Sequence, residues 1–291
     1  MPKQLRVTEP DSLQNFLFTR FPEVKRIKVK QWLKFGSVTV NGKKHMRHDH
    51  ALGEGDVVEV LSADESRSAS LLPKSLKIVY EDDSILVIDK PPNLLSIASE
   101  AEQKRTAYAL LTHYVRGGNV RSRERVWIVH RLDQETSGLM IFARTEQAKL
   151  ILQETWEDAE KRYFAIVEGA PAKDADTLRS FLDERNPHHV RSVPESEHTR
   201  HAITHYKVLK RGDRFSLLEL TLGTGRRHQI RVQMKEVGCP VAGDEKYGAK
   251  TNPAGRLCLH SCHLKIHHPV TGEVMTFESP LPASLSAVVK G

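Results

Sequence analysis

The sequence predicts an α+β chain in two parts, a small basic unit followed by a larger unit rich in strands. Three observations carry this prediction. Short runs with period-two alternation recur along the chain, helical periodicity is confined to a few scattered segments, and a small, polar, Pro-containing stretch, SADESRSASLLPKS at 62–75, reads as a linker. A chain of 291 residues is long enough to bury one substantial core and carry a smaller domain beside it.

In the first part, Leu13, Phe16, Leu17 and Phe21 recur at helical spacing behind Asp11 or Ser12 as N-cap. Residues 27–35 repeat the device with Val29, Trp32 and Leu33, and Gly36 suits the stop. Ser37–Val40 then alternates as a strand, Asn41-Gly42 is a hairpin turn, and Asp56–Leu61 reads as the closing strand. The polar positions are basic: Lys25, Arg26, Lys28, Lys30 and Lys34, then Lys43, Lys44 and Arg47 beside the turn. Such a charge run is commonly a solvated face. Around a helix pair and a hairpin it is also a candidate phosphate-binding surface.

Past the linker, Leu76–Tyr80 and Ile85–Ile88 flank an acidic turn and form a hairpin, after which Lys90-Pro91-Pro92 turns the chain. Ala107–Tyr114 is a short helix, followed by a basic loop with Arg116, Arg121, Arg123 and Arg125. Trp127-Ile128-Val129 is a short apolar strand that delivers His130, Arg131 and Asp133 into a segment ending at Thr136-Ser137-Gly138, where Gly permits a turn. Thr145 caps a helix with Ala148, Ile151, Leu152, Trp156 and Ala159 on one side. Lys161–Gly169 is a strand with Tyr163 near its start, and residues 183–201 are polar, His-rich and aperiodic, an exposed insertion. The strands Ala202–Tyr206 and Ser216–Leu222 lead into Gly223-Thr224-Gly225, whose glycines before a helix start are expected to form an anion site.

A formal charge of +7 points to a polyanionic partner, and nucleic acid is the leading candidate. The start of the chain lacks the apolar stretch of a secretory signal and no run has membrane length, so the cytoplasm is expected and a membrane is not. Three cysteines form an odd set that suits a reducing compartment. Cys258, His260, Cys262 and His263 invite a zinc reading, but no second ligand pair completes a tetrahedral site, and no metal is expected. His-Arg followed by Asp also occurs in kinase catalytic loops, where Asp follows Arg directly. Here Leu132 intervenes, and neither a DFG triplet nor a G-x-x-x-x-G-K-[ST] loop is present.

HRLDQETSG at 130–138 resembles the H-R-L-D-x-x-T-S-G signature of the RluA-type pseudouridine synthases. Further stretches resemble that family in the expected order: YEDDSILVIDKPPNLL, with Asn93 where the family has Gly, then KRYFAIVEG, TGRRHQIR, GDEKYG and RLCLHS. Asn tolerates left-handed backbone, so the turn at Asn93 is expected to survive. The resemblance covers about residues 76–283. It implies a pseudouridine synthase catalytic domain with a mixed, largely antiparallel sheet and a central cleft. It also implies Asp133 as the catalytic nucleophile, Tyr163 against the target base, Arg231 paired with Asp133, and Leu259 lining the base pocket. Arg226 is assigned to a phosphate or to support of the site, and Arg131 to substrate.

FGSVTVNGK and GEGDVVEV resemble the S-four-like RNA-binding domain, named after a ribosomal protein, which commonly precedes this catalytic domain. The expected organisation is an RNA-binding domain at 1–61, with Lys28, Lys30, Lys43 and Lys44 among its contacts, a linker at 62–75 and the catalytic domain at 76–291. The implied reaction isomerises uridine to pseudouridine within structured RNA, with no cofactor. Ribosomal RNA is the favoured partner and transfer RNA the alternative. DNA is not expected, and the chain is expected to be a monomer. The rival from another class is a non-catalytic RNA-binding or ribosome-assembly protein on the same fold. A nuclease is disfavoured because the clustered carboxylates that hold catalytic metals are missing.

Overall fold

The computed structural model describes residues 3–24, 26–34, 37–45, 47–60, 71–98, 102, 104–119, 121–186 and 189–290. Gly36, the expected helix stop, and residues 61–70 of the linker lie outside the described residues. The chain separates into two compact units, Met1–Pro73 with Leu110–Arg125 and Lys74–Ala109 with Val126–Gly291.

The first unit holds β1 (Lys3–Arg6), β2 (Asp11–Ser12), α1 (Leu13–Arg20), α2 (Arg26–Lys34), β3 (Val38–Val40), β4 (Lys43–Lys44), β5 (Ala51–Leu52) and β6 (Val57–Val60). Of the two candidate caps it is Ser12 that caps α1, its side chain accepting from the Asn15 amide at 3.4 Å, while Asp11 accepts from Ser12. Asn41 and Gly42 both have positive φ, 51° and 75°, the pair that a two-residue hairpin turn between right-twisted strands requires. Asn41 Oδ1 also accepts from the Val57 amide at 2.9 Å, tying the turn to the closing strand. The sheet runs β1-β6-β3-β4, antiparallel throughout, and buries Leu13, Leu17, Val29 and Val58 completely.

Helix α3 (Ala107–Val115) falls between the strand ending at Lys90 and the strand opening at Trp127. The second unit is built on β7 (Lys77–Glu81), β8 (Ile85–Lys90), β9 (Trp127–Ile128), β10 (Ser137–Ala143), β11 (Glu160–Glu168), β12 (Ala175–Asp183), β13 (Arg191–Val193), β14 (Thr199–Lys210), β15 (Phe215–Leu222), β16 (Leu259–His267) and β17 (Val274–Glu278). The order is β13-β12-β14-β15-β11-β16-β10-β8-β7, with β17 on β16 and β9 on β10. Among the described strands only β10 and β16 pair parallel, so the sheet is mixed and largely antiparallel, as expected. Helices α4 (Glu146–Glu154), α5 (Gln229–Glu236) and α6 (Ala283–Lys290) complete the unit.

Three details differ from the sequence-based expectation. Thr145 caps α4 as expected, but the helix ends at Glu154, so Trp156 and Ala159 sit on the turns that follow rather than on its face. Residues 183–201 are not a bare exposed insertion: β13 pairs back on β12, and Val190, 1% exposed, packs with Leu182, Ala202, Val232 and Tyr247. One apolar side chain outweighs the polar majority once it has a core to enter.

The third difference concerns the centre of the sheet. Ser137-Gly138 does not turn the chain but opens β10, a strand buried at all seven positions. Gly138 has φ +110°, and a Cβ there would lie 2.1 Å from the Ser261 carbonyl oxygen on β16. Gly is required by close approach of two backbones as well as by its dihedral. Gly138→Ala is therefore expected to cost about 3 kcal/mol or more, since β10 must part from β16. Urea titration of the two proteins would measure the loss, and equal midpoints would contradict it.

Candidate active site

Ser261 joins the three central strands. It is paired to Gly138 on β10 and to Tyr163 on β11, where a register shift between Arg162 and Tyr163 re-aims the tyrosine. The loop carrying His130–Thr136 therefore begins and ends on rigid sheet, and its interior is clamped by backbone contacts. The His130 ring stacks on Trp156 at 4.4 Å and accepts from the Ile141 amide at 3.1 Å. Ser96 Oγ donates to the Leu132 carbonyl at 2.6 Å and accepts from the Leu132 amide at 3.1 Å. Lys90, fully buried, donates to the carbonyls of Gln134 (3.0 Å), Leu94 (2.8 Å) and Pro91 (3.1 Å). Burial pulls its pKa down to about 7, yet three carbonyl acceptors call for all three N–H bonds of an ammonium. Arg256 Nη2 holds the loop's end, donating to Ser137 Oγ at 2.6 Å and to the Leu259 carbonyl at 3.2 Å. Asp133 thus lies between two backbone clamps, Leu132 and Gln134.

The turn Pro91–Leu94 that supports this loop survives the Asn at 93, which adopts φ +63°. Lys90 and Ser96 were not singled out from sequence. The partners that make them clamps, Gln134 and Leu132, lie 44 and 36 residues further along the chain, and such partners leave no residue pattern.

The Asp133 side chain enters a pocket shared by Arg131, Thr136, Tyr163, Arg226, His228, Arg231 and Leu259. Tyr163 is 9% exposed, and burial pushes its phenol pKa upward, partly opposed by a hydrogen bond with Ser261. It lines the pocket as a neutral ring. Arg231 approaches Asp133, with Nη1 3.4 Å from Oδ2, the pairing expected from sequence. Its main partner is a different carboxylate: Nε and Nη2 grip the two oxygens of Asp244 at 2.7 and 2.8 Å, with both residues buried. Burial alone would lower the Arg231 pKa, but Asp244 outweighs it and raises it. Asp244 is thus consumed by its ion pair, whereas Asp133, among the described residues, has the long Arg231 contact and His228 Nε2 at 3.8 Å. A carboxylate that lines a pocket and is loosely held is free to meet a substrate.

At Gly223–Gly225, the expected anion site, most of the amides are already engaged. The Gly223 and Thr224 amides donate to the Ile203 carbonyl, the Arg226 amide to Gln229 Oε1 and the Arg227 amide to the Glu184 carboxylate. Helix α5 instead begins at His228, in left-handed backbone at φ 52°. Arg131 and Arg226 are exposed at the pocket rim, and Arg226 Nε donates to the His201 carbonyl at 3.2 Å. Lys30 and Lys43 are exposed on the first unit, and the side chains of Lys28 and Lys44 lie outside the described residues. His260, considered above for zinc, is engaged by Ser137 Oγ (2.8 Å) and Ser279 Oγ (3.0 Å).

Residues 84–236 match the family model described as RNA pseudouridylate synthase. The chain is 34% identical over 286 residues to a Bacillus subtilis protein named as an RNA pseudouridine synthase, covering 96% of this chain and 93% of that one. It belongs to the RNA pseudouridine synthase family. The match to the ribosomal large subunit pseudouridine synthase D of Neisseria meningitidis is 34% identical over 90% of this chain and 73% of that one, and makes the synthase RluA-type. Among solved structures, human RNA pseudouridylate synthase domain containing 4 shares the fold, with TM-score 0.61 at 23% identity over 77% of this chain and 94% of that one.

Three histidines of the synthase are held neutral. Burial is the main cause in each, taking His130 and His228 to about 3 and His260 to about 4. In the unfolded chain these rings protonate below about pH 6.5. Between the folded and unfolded values the unfolded state binds more protons, so stability falls as pH falls from 7 to 5, by about 2 kcal/mol for each ring. The melting temperature is expected to drop over that interval, and His130→Gln to shallow the drop. A flat profile would contradict the buried neutral state.

Proposed function

We propose that the synthase isomerises uridines in ribosomal RNA, with Asp133 as the attacking carboxylate. The observation that carries this reading is the contrast between the two aspartates at Arg231, one locked and one free. Atoms balance without a cofactor: the glycosidic bond from N1 to the ribose breaks, a bond from C5 forms in its place, C5 gives up its hydrogen and N1 takes a proton. A base within a stem or folded loop is out of reach of a carboxylate, so the target nucleotide is flipped into the pocket and stacks on Tyr163, beside Leu259. A covalent step through Asp133 divides one hard reaction into two. Ribosomal RNA is favoured by the name of the Neisseria meningitidis relative and by the S-four-like pattern in residues 1–61.

Because C5 loses its hydrogen, ribosomal RNA carrying tritium at uracil C5 releases label on turnover, whereas a nuclease or a passive binder releases none. Release from transfer RNA alone would overturn the choice of substrate.

The domain assignment belongs to the same reading: RNA binding at 1–61, a linker at 62–75 and catalysis at 76–291, acting in the cytoplasm. No helix among the described residues is long and apolar enough to cross a membrane. Lys30 and Lys43 are exposed on the first unit, and each phosphate contact they make releases counterions. Lys30→Glu with Lys43→Glu is expected to weaken RNA binding and to flatten the plot of log affinity against log salt by about 2. An unchanged slope would remove these lysines from the interface.

A further inference from the structure

The N-cap of helix α5 is a residue whose side chain does not cap it. His228 occupies left-handed backbone, which few non-glycine residues adopt, and its ring makes no capping hydrogen bond. Its ring serves elsewhere. Nδ1 lies 2.7 Å from the Tyr247 hydroxyl, and Nε2 lies 3.8 Å from Asp133 Oδ2, on the pocket side.

The proton positions follow from the partners of Tyr247. Its oxygen accepts from the Val190 amide at 3.2 Å and faces the Val190 carbonyl at 3.2 Å as well as His228 Nδ1 at 2.7 Å. The hydroxyl has one proton to give. Nδ1 and the Val190 carbonyl can both take it, and the 2.7 Å separation, near the optimum for an O–H donor, favours Nδ1 over the carbonyl at 3.2 Å. A neutral imidazole then carries its only N–H on Nε2, aimed at Asp133. The opposite tautomer would direct a lone pair at the carboxylate. Arg231, whose guanidinium lies 5.2 Å from the Tyr247 ring centroid, disfavours a charged imidazolium beside it, and burial acts in the same direction.

We propose that His228 is a positioning residue of the pseudouridine synthase reaction: Tyr247, anchored on the backbone of Val190, fixes the His228 tautomer so that Nε2–H orients the Asp133 carboxylate. This rests on Asp133 being the attacking group. It also gives the buried tip of the 183–201 segment a purpose, since Val190 is where that segment reaches the Tyr247 hydroxyl. The gap is 3.8 Å, and a shift of under about 1 Å brings the N–H into hydrogen-bonding range.

The test is single-turnover kinetics on ribosomal RNA with His228→Asn, Tyr247→Phe and the double variant, alongside Asp133→Ala and RNA-binding and melting curves. Asn tolerates the left-handed backbone but its amide falls short of Asp133, and Phe keeps the ring beside Arg231. His228→Asn is expected to lower the rate about ten- to hundred-fold, the range for groups that orient a catalytic ligand, with RNA affinity within about two-fold. Tyr247→Phe should lower it less. The double variant should be no slower than His228→Asn, because Tyr247 acts through His228. A His228→Asn rate within about two-fold of the parent, a loss of RNA affinity that accounts for the rate, or losses that multiply in the double variant would each overturn the proposal. An inactive Asp133→Ala beside a fast His228→Asn overturns this inference alone, whereas an active Asp133→Ala overturns the reading beneath it.

Discussion

Asp133→Ala is expected to remove turnover altogether while RNA binding persists. The side chain makes only long contacts, to Arg231 at 3.4 Å and His228 at 3.8 Å, so its loss leaves no tightly paired partner stranded. The backbone clamps on either side, Ser96 to Leu132 and Lys90 to Gln134, do not involve the carboxylate and keep the loop in place. The expected cost in stability is accordingly small, within about 1 kcal/mol, against complete loss of the group proposed to attack the sugar. Stoichiometric RNA binding with no pseudouridine formed is the signature. A folded variant that no longer binds RNA would assign Asp133 to recognition instead.

Arg231 should behave in the opposite way, because its substitution strikes the fold as well as the chemistry. Arg231→Ala leaves Asp244, 2% exposed, as an uncompensated buried charge, which costs about 3–5 kcal/mol. That is a large share of the 5–15 kcal/mol that holds a typical domain together. Arg231→Lys keeps the charge but cannot grip both Asp244 oxygens, being a point charge and not a fork. Arg231→Ala is expected to melt far below the parent and to be inactive. Arg231→Lys should fold with a smaller loss and retain weak turnover. Thermal melts and rates measured together separate the two effects. Parent-like melting of Arg231→Ala would show the pair with Asp244 to be dispensable.

Much of this site is written in contiguous strings. His130–Gly138, Lys161–Gly169 and Thr224–Arg231 each place a pocket residue where the sequence alone puts it, because a strand end or helix start fixes local geometry. What could not be read is carried by tertiary pairing. The strand β10 has no alternation, since both its faces are buried, and periodicity cannot mark such a strand. Gly138 reads as a turn because the Ser261 backbone pressed against it comes from a distant strand. Asp244 sits in GDEKYG thirteen residues after Arg231, with nothing in that spacing to say that it takes most of the guanidinium. Lys90 shows as part of a turn motif, and two of its carbonyl partners lie in that turn, but the third, Gln134, is set by where the loop folds back. The polar run at 183–201 hides Val190, an apolar residue that only a finished core makes visible.

The central claim, that Asp133 isomerises uridine in ribosomal RNA, is tested most directly by chemical mapping of pseudouridine. Ribosomal and transfer RNA would be mapped from cells lacking this protein and complemented with the parent or with Asp133→Ala. The account expects ribosomal sites that vanish in the deletion, return with the parent and stay absent with the variant. Restoration of those sites by Asp133→Ala, or no change at any site, would contradict it.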